Sequence, residues 1–182
     1  AVWGTCAGAI LMASEINDVC PLVRQDVRTT VPFAHKVEDV ALPVRKVTEK
    51  EATAAQAEID ALAKKPGTAR RQLSLQKVVD RYHAQDKEPT LTVEVHALRI
   101  GDVAIVTNPF ELFLDYGVQM QGRSKAVQTF VLQLTNGSAS YLPTERAVKG
   151  GSYSAIVASN RVGPEGGQVL VERSVELINS LW

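Results

Sequence analysis

Neither sign of charge is in excess in this chain: 20 lysines and arginines are matched by 20 aspartates and glutamates over 182 residues. There is no net field to steer nucleic acid or anionic lipid, and composition argues against nucleic acid as the main partner. Long apolar runs are missing too. "AGAILMA" (7–13) falls far short of the roughly 20 residues that a bilayer span needs, so no transmembrane segment is expected. The start, "AVWGTCAG", has neither an initiator Met nor a basic leader, and fits a processed chain or a piece of something longer. Cysteine is scarce: Cys6 and Cys20 match no metal spacing, are too few for a disulfide scaffold, and read as small buried hydrophobes. His35, His83 and His96 form neither an HxH nor an HExxH pattern, and no serine sits in a G-x-S-x-G elbow. Spacing alone names no self-contained catalytic set.

What is present belongs to an ordinary globular protein, 45% hydrophobic and 22% charged. A chain of this length can form one domain that buries roughly 70% of its unfolded surface. "GAILMASEINDV" (8–19) has helical spacing and is expected to stop at Cys20-Pro21. "KVEDVALPVRKV" (36–47) alternates like a strand, and Pro43 assigns it to a sheet edge or a strand end. Thr48 with Glu51 is a capping box before an Ala-rich helix. "KPGTARR" then breaks the pattern, and a second helix carries Leu75, Val78, Val79 and Tyr82 on one stripe. The spacing predicts a protruding helical hairpin at about 48–85.

The second half changes character. "TLTVEVHALRIGDVAIVTN" reads as two strands about a Gly101-Asp102 turn, with His96 mid-strand. A helix "PFELFLDYGVQMQ", a strand "QTFVLQLT" and a long Gly/Ser-rich loop holding Tyr141 and Tyr153 follow. "RVGPEGG" opens the last helix; lacking a Lys-Ser/Thr pair it is not a P-loop, and it reads as close backbone packing. Leu170, Leu177, Ile178 and Leu181 share one stripe of that helix. The fold class expected is mixed α/β (α+β), a layered sheet packed with helices.

One stretch, "NPFELFLDYG" (108–117), is open to two readings. Asn108 as N-cap, Pro109 at the first helical position and Glu111 at the third would make Glu111 a helix cap. Phe110, Phe113, Leu114, Gly117 and Val118 would then form the apolar face, leaving Glu111 at its margin as a carboxylate in need of a partner. The second reading is that Glu111 holds a ligand. The long loop is the other candidate, since segments of that length often line a site. Its tyrosines could equally pack on the core edge.

Taken together, "HALRIGDVAIVTNPFELFLDYG", "TFVLQLTNGSASYLPTERAVKGGSYSA" and "RVGPEGGQVLVERSVELIN" resemble the C-terminal part of the neutral/alkaline non-lysosomal ceramidase family. The similarity runs best from about Val93 onward and more loosely back to the first helix. The resemblance implies a zinc amidohydrolase that cleaves the N-acyl bond of ceramide to sphingosine and fatty acid, a place in sphingolipid metabolism, and a secreted or periplasmic location. It implies Glu111, in "NPFELF", and Tyr141, in "SYLPT", as metal ligands, with Tyr153 as runner-up to Tyr141. The family's two zinc histidines and serine nucleophile belong to motifs that nothing here matches, so no catalytic residue is assigned on this chain. Residues 1–182 would then be a single or partial domain, the C-terminal segment of a ceramidase-like catalytic domain, with 48–85 as an insertion. Its partners would be an N-acyl amide or lipid substrate and the missing N-terminal half. The competing class is a non-catalytic structural or binding domain that keeps the scaffold without the chemistry. Zinc bonds of about 2.1 Å require the Glu111 and Tyr141 oxygens to lie roughly 3–4 Å apart.

Overall fold

The computed structural model describes residues 17–25 and 27–182, in two compact units, Ala1–Pro32 and Phe33–Trp182. Cys6 and residues 8–16 of the helix expected at 8–19 lie outside the described residues. In the first unit, 17–23 is helical and a turn follows. Pro21 does not end this helix as expected; a proline removes one N–H, and the chain continues to 23 before turning. Cys20 is a free thiol and half-buried rather than buried.

The second unit is built on a four-stranded sheet in which 33–43, 90–100, 103–107 and 128–132 lie side by side in that order. Strand β1 (Phe33–Pro43) is an edge strand that ends at its proline, as its alternation predicts. It pairs antiparallel with β2 (Thr90–Ile100), which turns through Gly101, at φ 62°, into antiparallel β3 (Val103–Thr107). A positive φ there is open to glycine at little cost. β5 (Gln128–Leu132) joins β3 in parallel, so the chain must cross over between them. That crossover carries a two-residue strand, β4 (Glu111–Leu112), and helix α3 (Leu114–Arg123). β4 pairs in parallel with a second short strand, β6 (Tyr141–Leu142), and helix α4 (Glu145–Gly150) follows. The long loop expected at this point is thus half structured. The last helix, α5 (Pro164–Asn179), starts with proline at its first turn.

One sheet face is apolar and packs on α3 and α5: β2 buries Val93, Val95 and Ala97 and turns Thr92 and Glu94 outward. From the helices, Tyr116, Met120, Leu170 and Ile178 fill the same core. The "GPEGG" glycines allow this packing. A Cβ on Gly166 would sit 2.3 Å from Val162 Cγ1, and one on Gly167 would sit 2.3 Å from the Tyr116 phenol. The opposite sheet face leaves Phe33, Val37, Ile100, Phe130 and Leu132 exposed.

The hairpin predicted at 48–85 is present as α1 (Glu49–Leu62) and α2 (Ala69–Ala84), with the Thr48–Glu51 capping box formed. It has its own apolar cluster of Val47, Ala52, Ala55, Leu75 and Val78. Arg81 ties it to the rest of the unit, donating to the Asn160 and Val157 carbonyls at 2.8 and 2.9 Å.

Candidate functional site

The segment after β3 departs from its expected shape. Asn108 is buried and does not cap a helix: its Oδ1 accepts from the Phe110 amide at 3.1 Å, and its Nδ2 donates to the Leu132 carbonyl at 3.3 Å. This is an Asx turn, the alternative that an Asn side chain always offers to a cap. It sends Phe110 wholly into the core and delays the helix until Leu114. The apolar face therefore differs from the expected one. Tyr116 and Met120 are buried, whereas Leu114 and Val118 point to solvent. Glu111 belongs to a strand and caps nothing.

What holds Glu111 is the neighbouring strand. Its amide donates to the Ser140 carbonyl at 3.0 Å, the Ala139 amide donates to the Pro109 carbonyl at 2.8 Å, and the β4/β6 register sets Glu111 directly beside Tyr141. Side chains of register partners share a face and touch. The two residues that the sequence singles out, 30 positions apart in the chain, are thus brought together. Both are half-buried. Tyr153 joins them, its phenol 2.9 Å from that of Tyr141 with the rings edge to face.

The electrostatics follow from this crowding. The Glu111 carboxylate, then Tyr153, then burial hold the Tyr141 phenol above its ordinary range. The Tyr141 and Tyr153 hydroxyls share a hydrogen bond, and the Glu111 carboxylate stands beside them. One carboxylate and two phenols are thus gathered on a surface open to a ligand. The approach to Tyr141 is strained: Leu134, Asn136 and Ser140 all have positive φ, at 56°, 58° and 63°. Backbone held in that region by its surroundings is concentrated at functional segments. Sequence reading missed this strain, since none of the three is glycine.

Among the described residues, no group of three or more His, Cys, Asp or Glu is placed to hold a metal ion. The donors at this site are one carboxylate and two phenols. A separate cavity of about 400 Å³ lies beside α2, with Ser140 in its wall and Lys77, Asp80, Arg81, Glu88 and Arg161 around it. Those charges suit a polar ligand better than an acyl chain.

No family model matches the chain, and no curated protein matches it. Among solved structures, its fold is similar to neutral ceramidase from Pseudomonas aeruginosa over 82% of this chain and 28% of that one, at 14% identity and a TM-score of 0.51. A ceramidase complexed with C2 is similar over 50% of this chain and 15% of that one, at 18% identity and a TM-score of 0.45. The chain spans less than a third of the length of either ceramidase. The likeness is one of architecture: this chain folds as part of a neutral ceramidase does.

Proposed function

We propose that this chain is the metal-oxygen half of a zinc-dependent N-acyl amide hydrolase of neutral ceramidase type, with Glu111 and Tyr141 as ligands. The observation that carries the reading is the β4/β6 register, which seats the carboxylate and the phenol side by side. The donor set fits zinc chemically, because a carboxylate oxygen is an accepted ligand at about 2.0–2.2 Å. Glu111 and Tyr141 would hold the cation, and Tyr153 would keep its hydrogen bond to the Tyr141 oxygen. When bound, zinc supplies a polarising charge and lowers the pKa of its water toward about 7.

The chain's own residues then do three things. The buried Asn108 turn and the Ser140 carbonyl fix the Glu111 backbone; Tyr141 and Glu111 present oxygens to one point; Tyr153 orients the Tyr141 phenol. The remaining ligands and the nucleophile come, in this reading, from the N-terminal half of the catalytic domain, of which this chain is the C-terminal segment and 48–85 an insertion. Ceramide is the substrate that the resemblance suggests, and a secreted or periplasmic setting goes with it.

The test is a zinc titration in the presence of imidazole, which stands in for the absent histidines. A tyrosinate ultraviolet difference band should grow with zinc in the wild-type chain and vanish in Glu111→Gln and Tyr141→Phe. A chain that binds zinc with no tyrosinate signal, or with a signal unchanged in both variants, is the scaffold of the non-catalytic alternative. With the partner half present, Glu111→Gln should cut fatty-acid release from short-chain ceramide by at least about 100-fold, because several kcal/mol of charge stabilisation depend on the metal.

A further inference from the structure

We propose that His35 and His96 form a second cation site, for a divalent d-block ion such as Cu²⁺ or Zn²⁺, on the sheet face that turns away from α3 and α5. The proposal is independent of the Glu111 site. Its basis is the register of the edge strand: Val37 lies opposite His96, so His35 is the diagonal neighbour of His96 on the same face.

The two rings do not stack. His35 Nε2 lies 2.9 Å from His96 Nδ1, the ring planes differ by 1°, and the centroids are 5.1 Å apart. A separation this long with nitrogens this close leaves one arrangement: coplanar rings, edge to edge, each nitrogen pointing at the other. One hydrogen joins them now. Two ligand nitrogens on one zinc ion, with bonds of about 2.0–2.1 Å and a tetrahedral angle, would stand roughly 3.3 Å apart. The pair must therefore open by a few tenths of an ångström and swing one ring. His35 is on an exposed edge strand and can make that rotation.

The far side of His96 is already arranged as a metal-binding histidine requires. Its Nε2 is 2.8 Å from Glu94 Oε1, and Asn136 Nδ2 donates to that same oxygen at 2.7 Å. With Nε2–H donating to the Glu94 oxygen, the Nδ1 lone pair is left for the shared point. This is the carboxylate–histidine–metal pattern, in which the outer carboxylate fixes the tautomer and raises ligand basicity. The His96 amide also donates to Thr107 Oγ1 at 3.1 Å, anchoring the strand beneath.

Two imidazoles suit copper, nickel or zinc, and not calcium or magnesium, which take oxygen. No third His, Cys, Asp or Glu among the described residues joins the pair, so water completes the coordination. Copper should bind the more tightly of the two ions.

The test titrates Cu²⁺ alone into the full chain, read by calorimetry and by nitrogen hyperfine structure in the electron paramagnetic resonance spectrum. One ion should bind, with two imidazole nitrogens. His35→Asn and His96→Asn should each weaken binding at least tenfold, while unfolding curves confirm that both variants fold. Glu94→Gln keeps both ligands and should still weaken binding about tenfold, the scale of a lost outer-shell carboxylate. Tyr141→Phe should leave copper binding unchanged, which separates this site from the zinc proposal. Copper affinity that is the same in both histidine variants, or a spectrum without imidazole nitrogen, would overturn the assignment.

Discussion

Asn108 decides where Glu111 goes. Its side chain serves two backbone groups in a dry environment; truncating it strands the Phe110 amide, while the Leu132 carbonyl keeps the Asn108 amide as donor at 2.9 Å. Asn108→Ala should cost about 1–3 kcal/mol in urea unfolding, the scale of one stranded buried group. The same Asn-x-x-Glu spacing that misleads here is correct at Thr48, and the difference is legible afterwards. Residues 49–62 are rich in alanine and glutamate, which accept a helix, whereas Phe110 is drawn into the core and needs a turn to get there. Tyr116 carries a second effect at this scale. Burial first, then the Asp115 charge, push its phenol up to about 12, while its hydroxyl donates to the Pro143 carbonyl at 2.9 Å. A phenol whose folded pKa is raised stabilises the fold fully below its unfolded value near 10 and loses that contribution as pH rises through 12. Two units correspond to at most about 3 kcal/mol. Stability should therefore fall between pH 10 and 12, and the fall should be shallower in Tyr116→Phe. That variant should also lose about 1–2 kcal/mol at neutral pH, with the Pro143 carbonyl left without its donor. Equal alkaline slopes in the two proteins would remove Tyr116 from the account.

At the scale of elements, helix α5 comes close enough to α3 that glycine becomes a packing requirement. A Cβ on Gly167 meets Tyr116 Cζ and Oη at 2.3 Å, and the hydrogen bond to Pro143 keeps that ring from moving aside. Gly167→Ala should destabilise by about 3 kcal/mol, the upper range of overpacking in a tight core. Gly150→Ala, where a Cβ meets nothing within 4 Å, is the control and should be neutral or slightly stabilising. Paired thermal melts would show the contrast. Most elements were legible in the sequence because periodicity reports burial directly: the hairpin stripe, the alternation of β2 and the α5 stripe all point at the core they fill. The short strands β4 and β6 were not. Two residues are too few to show a period, and what creates them is a tertiary contact between segments distant in the chain. The pairing of Glu111 with Tyr141 was accordingly available only through family resemblance.

Across the whole described second unit, two apolar clusters of unequal size divide the stability. The sheet, α3 and α5 share the larger; the hairpin holds a small one rich in alanine and valine, joined to the remainder by polar clamps. Arg81 is the chief clamp, its guanidinium half-buried against the carbonyls of Val157 and Asn160, with its charge disfavoured by burial and by Arg45 and Arg161 nearby. Arg45 repeats the device, bonding the Ala155 carbonyl, Asn160 and Glu51. A region with few buried apolar contacts opens at lower free energy than the core. Native-state hydrogen exchange should therefore release the α1 and α2 amides well before those of β2, β3 and α5. Arg81→Leu removes the donors from two carbonyls and should accelerate hairpin exchange at least tenfold, one lost charged hydrogen bond being worth about 1.5–3 kcal/mol. The sheet amides should keep their wild-type rates, because the larger cluster is untouched. Uniform acceleration across hairpin and sheet would mean that the unit opens as a single body, and would remove the physical basis for treating 48–85 as an insertion.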